Sequence, residues 1–164
     1  MIDSTTQDVD PIDAEIEAER DRIAQLSAER EKTAAPARKR AELEKLRRER
    51  AFAEALPALE AKYGPLGTSA AAGLARVDLA GGIVAVRRPS KEGFRKYTDM
   101  GKTDSESQID LVKPTVVYPV NEAGEPDKAA AWAIIDGEPF GLTRVANAVC
   151  VLGGVRVKEV SGKS

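Results

Sequence analysis

The residues best able to do chemistry lie between Arg87 and Pro119. Three aspartates there, Asp99, Asp104 and Asp110, could pair in space for acid–base work. Their positions suit solvated helix ends and loops equally well, and that is where carboxylates usually sit. The chain has no histidine and a single cysteine, Cys150. This excludes Ser-His and Cys-His nucleophilic systems, removes the commonest metal ligand, and leaves too few thiols for a zinc ribbon or finger. Gly81-Gly82 has no Gly-Lys-Ser/Thr sequel, so there is no Walker loop, and no GxGxxG pattern occurs. The expectation is a protein that is not an enzyme and needs no metal or cofactor.

Binding chemistry is better represented. Arg87, Arg88, Lys91, Arg95 and Lys96 bring five positive side chains to a strand–helix junction at Pro89, opposed only by Glu92. Two readings stand level: arginines turned to water where proline ends a strand, or a partner-binding patch. Phe94 and Tyr97 share one helical stripe, with Met100 in the same phase, and a stripe favours core over contact. Tyr118-Pro119 is either a turn element or an exposed aromatic contact. The partner-binding set is therefore Arg87, Arg88, Pro89, Lys91, Phe94, Arg95, Tyr97, Tyr118 and Pro119. A second basic run, Arg38–Arg50, holds seven bases and three acids. Its charges interleave with Glu42, Glu44 and Glu49 at helical spacing, which suits self-pairing on a solvated face. No aromatic lies among them to stack on bases, which argues against nucleic acid as the partner.

These residues need a framework, and the pattern predicts an α+β fold, mainly α. Residues 1–11 are polar and expected to be disordered. Asp10-Pro11 then starts a helical arm over 12–66, with Pro at the first helical position. Ile12, Ile16, Ile23 and Leu26 are spaced 4, 7 and 3, close to a heptad seam, but Glu19 and Arg30 occupy intermediate seam positions. The seam suits a weak coiled coil and self-association through the arm. Pro36 should break or kink this helix, Pro57 should bend it, and Gly64-Pro65 should stop it.

A small domain follows over 74–160. Alternating runs on either side of Gly81-Gly82 predict a β-hairpin over 74–88. Three to four helices follow, at about 91–102, 106–113, 127–136 and 140–152, with Ser90, Asp104 and Asp127 as caps. Thr115–Tyr118 should be extended, Val155–Val160 alternates enough for a third strand or is a frayed tail, and 161–164 is a loose tail.

Composition limits how self-sufficient this fold is expected to be. Of 164 residues 42% are apolar, yet aromatics are only 4% and alanine makes up much of the rest. Burial stabilises by roughly 25 cal/mol per Å², so an alanine-rich core is modest and reliance on a partner follows. Net charge is −2, which directs the whole chain toward neither nucleic acid nor membrane. Residues 1–31, by contrast, carry ten acids and three bases. No run approaches the roughly 18 apolar residues of a membrane span, and the acidic start is not a signal peptide. The expected location is cytoplasmic.

One family resemblance is carried by Glu60-Ala-Lys-Tyr-Gly-Pro-Leu-Gly67, Val84-Ala-Val-Arg-Arg-Pro89, Phe94-Arg-Lys-Tyr97, Val116-Val-Tyr-Pro119 and an Ala/Leu-rich last helix ending at Gly153-Gly154. Together these resemble the tail assembly chaperone-like proteins of tailed bacteriophages, over about Leu56 to Gly154. The resemblance implies a small, α-rich, non-catalytic protein of the host cytoplasm that binds the tape measure protein. It would keep that protein soluble and help present it to tail tube subunits during virion morphogenesis. Two other classes remain beside it: a structural connector retained in the virion, and a small nucleic-acid-binding regulator.

Overall fold

The computed structural model describes residues 11–99 and 104–154. Proline suits the first turn of a helix because its φ is fixed and its missing N–H would be unbonded there. From that residue α1 runs over Pro11–Tyr63, with Asp13 in its first turn and Lys62 in its last, each opposing the partial charge of the helix end.

The expected break at Pro36 is absent, and the helix continues through Pro57 as well. A mid-helix proline loses one backbone hydrogen bond and crowds one carbonyl, a local cost of about 3 kcal/mol. The flanking segments are dominated by Ala, Glu, Arg, Lys and Leu, the strongest helix formers. Propagation on both sides outweighs the one lost bond. Thr33, three residues before the proline, donates its Oγ1 hydroxyl back to the carbonyls of Glu29 and Arg30, both at 3.0 Å. The stop falls at Gly64, whose φ of +101° only glycine adopts readily, and whose N–H reaches the Glu60 carbonyl at 2.9 Å.

The chain divides into two units inside this helix, Met1–Glu44 and Lys45–Ser164. The division falls well before the expected end of the arm at residue 66. Phe52 and Leu59 explain why: they lie two turns apart on one face, with Leu56 half-buried between them, and both are buried against the sheet. The last third of α1 is part of the domain.

The sheet is built on the expected hairpin. Strands β1 (Leu74–Leu79) and β2 (Gly82–Arg87) pair antiparallel, with Leu79 opposite Gly82. A third strand, β3 (Val116–Tyr118), pairs antiparallel with β2, giving the order β1-β2-β3 and a register shift between Ala85 and Val86. Side chains alternate across a strand, and here both faces are covered. Leu74, Ile83, Ala85, Val117 and Tyr118 meet Phe52 and Leu59 of α1. Ala75, Val77, Leu79, Val84, Val86 and Val116 meet the remaining helices. The core is therefore closed on both sides from within the domain. Short Val and Ala side chains make up much of it.

Four helices complete the domain: α2 (Lys91–Asp99), α3 (Ser105–Val112), α4 (Lys128–Asp136) and α5 (Gly141–Leu152). Ser90, Asp104 and Asp127 act as the expected caps, accepting from the N–H groups of Gly93 (3.1 Å), Ser107 (2.9 Å) and Ala130 (3.0 Å). Phe140 was expected among the apolar residues of the last helix. Instead it precedes α5 at φ 63°, in the left-handed region, and makes no side-chain cap. The extension of α2 to residue 102, the strand at Val155–Val160, residues 1–10 and the tail 161–164 lie outside the described residues.

Candidate functional site

The five basic residues at the Pro89 junction part company in the structure. Arg88 stays exposed but is engaged by backbone: its guanidinium donates to the carbonyls of Ala70 and Ala72, the latter at 2.8 Å, and its backbone N–H to the Gly73 carbonyl at 3.0 Å. Arg88 therefore ties the 69–73 segment to the end of β2, a structural role that its sequence position did not disclose. Arg87 is exposed but also engaged. It donates to the Pro114 carbonyl at 3.2 Å and lies 6.0 Å from the centre of the Tyr63 ring. Pro89 is half-buried. The two arginines are held because β2 is the central strand, so its end meets backbone from both neighbouring segments.

Lys91, Arg95 and Lys96 are left on the exposed side of α2. Phe94 and Tyr97 take the opposite side, half-buried against the main core, as the stripe predicts. Phe94 packs beside Gly153, where any Cβ would come within 2.7 Å of its ring. Tyr97 reaches further out. It forms part of an open cleft of about 400 Å³ between α2 and α3, lined also by Gly93, Lys96, Ser107, Asp110 and Leu111. Burial raises the Tyr97 hydroxyl above its ordinary pKa, so it stays protonated at neutral pH and can donate a hydrogen bond into the cleft. Of the singled-out aspartates, Asp110 lines it, and Asp104 is engaged as the cap of α3.

Tyr118 is not an exposed contact. Its side chain is buried, and its ring stands edge-on to Phe52, with centroids 5.1 Å apart and planes at 80°. The Tyr118–Pro119 peptide is cis and Pro119 is half-buried, so the pair is a structural element at the end of β3.

Several side chains act in ways that residue spacing conceals. Arg76 bonds both Glu49 of α1 and Asp78 of β1, and its guanidinium lies 5.1 Å from the centre of the Phe52 ring. The hydrogen bond from Arg76 holds the Glu49 carboxyl below its ordinary pKa. Glu138 accepts from the Ala80 N–H at 2.6 Å and pairs with Arg144, which donates to the Asp78 carbonyl at 2.8 Å. The Ala80 bond is the main reason the Glu138 carboxyl also sits low. Among the described residues the most exposed large apolar side chain is that of Phe140, at 81%. On the arm, Ile12, Ile16, Ile23 and Leu26 are all exposed, from 47% to 63%.

Among the described residues, no group of three or more His, Cys, Asp or Glu is placed to hold a metal ion, and no helix is long and apolar enough to cross a membrane. No family model matches this chain, and neither a curated protein nor a solved structure matches it.

Proposed function

We propose that this chain is a non-catalytic assembly chaperone of the host cytoplasm. In this reading it holds the tape measure protein of a tailed bacteriophage in soluble form and presents it to tail tube subunits. The observation that carries the binding half of this reading is the α2–α3 cleft. Tyr97 and Leu111 supply an apolar lining, Lys96 lies in the wall, and Lys91 and Arg95 extend the positive charge along α2. An amphipathic client helix suits such a surface, with an apolar side chain against Tyr97 and Leu111 and acidic ones toward α2. The phage assignment is supported by the sequence resemblance over Leu56–Gly154.

The test is co-expression of the full chain with a helix-rich fragment of a tape measure protein. The triple variant Lys91→Glu, Arg95→Glu, Lys96→Glu should reduce co-purified fragment about tenfold or more, as expected when a complementary surface is made repulsive. Helix content should stay unchanged, because all three side chains are exposed. Equal recovery with the triple variant, or equal fragment solubility without the chain, sinks the reading. Arg88 is kept out of the variant because its loss would free the Ala70 and Ala72 carbonyls.

A further inference from the structure

The unbroken course of α1 past Pro36 puts Ile12 through Ala37 on a single helix, which extends the arm's seam beyond Leu26. In heptad register the d positions are Ile12, Glu19, Leu26 and Thr33, and the a positions are Ile16, Ile23, Arg30 and Ala37. Two of these eight are charged, with opposite signs. In a parallel pair each would face itself, Glu19 against Glu19 and Arg30 against Arg30, and both layers would repel. In an antiparallel pair a positions face d positions, and one alignment sets Glu19 of each copy against Arg30 of the other.

We propose that the arm pairs with a second copy of this chain as an antiparallel coiled coil whose two-fold axis passes between Ala24 and Gln25. The remaining layers follow without adjustment. Ile23 meets Leu26 on both sides of the axis, Ile16 meets Thr33, and Ile12 meets Ala37. The flanking g positions add a second complementary pair, because Arg22 lies beside Glu29 of the other copy. Thr33 suits a seam layer because its hydroxyl is already bonded to its own helix at Glu29 and Arg30. In the single chain Glu19 lies 3.6 Å from Arg22, with both side chains more than two-thirds exposed. A solvated pair of that kind contributes little, so little is lost when Glu19 turns to Arg30 of the second copy. Charged residues in a seam weaken association but fix orientation and register. This proposal goes beyond the client-binding reading and uses none of the α2–α3 cleft.

Sedimentation equilibrium of the full chain provides the test. The wild-type chain should dimerise. Glu19→Arg and Arg30→Glu should each weaken dimerisation on the order of a hundredfold, since each reversal places two like-charge layers in the seam. The double variant E19R/R30E should recover the wild-type constant, and mixing the two single variants should yield a heterodimer, which also shows that both remain folded. In a Cys150→Ala background, spin labels at Ala14→Cys should lie more than about 30 Å apart, because position 14 lies level with position 35 of the other copy and a helix rises 1.5 Å per residue. A monomer at every soluble concentration, a Glu19→Arg variant that dimerises normally, a double variant that fails to recover, or labels only about 20 Å apart, the width of two helices side by side that outward-facing positions of a parallel coil would span, each overturns the proposal.

Discussion

Ile23 and Leu74 are both large aliphatic side chains in regular secondary structure. Ile23, in the Met1–Glu44 unit, is 63% exposed, while Leu74, in the Lys45–Ser164 unit, is fully buried. The contrast extends along both units. The arm's apolar residues recur along one stripe of a single helix, and a lone helix has nothing to bury them against. The domain's apolar residues sit on both faces of a sheet whose own chain supplies the cover. Buried and exposed apolar side chains are thus separated along the sequence, with the division inside α1.

The sharpest way to break this comparison is to damage the domain and watch the arm. Gly73 packs so closely on the end of α1 that a Cβ would lie 2.0 Å from the Tyr63 carbonyl oxygen. Gly73→Ala should destabilise the domain by about 4 kcal/mol, and Leu74→Ala by about 3 kcal/mol, both read by denaturant unfolding. The exposed arm counterpart, Ile23→Ala, should shift the same transition by no more than about 0.5 kcal/mol. A comparable loss at Ile23 would mean that the arm stabilises the domain.

Pro36→Ala should act in the opposite sense, stabilising the arm helix by up to about 3 kcal/mol without moving the domain's transition. Amide exchange across residues 30–44 reports this, and unchanged protection there would show that the proline carries no cost in this helix. Phe140→Gly should stabilise the domain by about 1 kcal/mol, because glycine accepts a left-handed φ without strain. A lower melting temperature would show that the exposed ring has a partner.

Acid should act on the domain through two carboxylates. Glu49, bonded by Arg76, and Glu138, bonded by the Ala80 N–H, both have pKa values below the ordinary 4.5. A depressed folded-state pKa contributes stability above the unfolded value and loses it as pH falls through the folded one. Stability should therefore decline below about pH 4.5, and Glu49→Gln with Glu138→Gln should flatten that decline. An unchanged acid limb in the double variant would remove both groups from the account. The smallest signal expected is at Cys150, where burial raises the thiol pKa; the native chain should react with a thiol reagent far more slowly than the unfolded one.

The hairpin was legible because alternation and Gly81-Gly82 are local signals, and so were the caps Asp104 and Asp127, which act within three residues of themselves. The surroundings of Arg88 and Tyr118 were not. Tyr118 looks like surface chemistry in one dimension yet is buried, and Arg88, though exposed, is bonded to backbone carbonyls, because partners at Phe52 and Ala72 reach them only through the folded chain. Phe94 and Tyr97 fell between the two cases. Helical spacing placed them on one stripe, but the packing of α2 against α3 decided that Tyr97 also lines a cleft.

By itself the sequence determined the periodicities, the stops and caps, the absence of histidine, and the opposite signs of Glu19 and Arg30 along one seam, since all of these are properties of neighbours. Tertiary structure decided that α1 passes through Pro36 without ending and that its last third covers the sheet. It also decided that Arg87 and Arg88 are bonded to backbone carbonyls. The physical reason is the same each time: burial and hydrogen-bond satisfaction depend on groups distant in sequence, and a local pattern cannot count them.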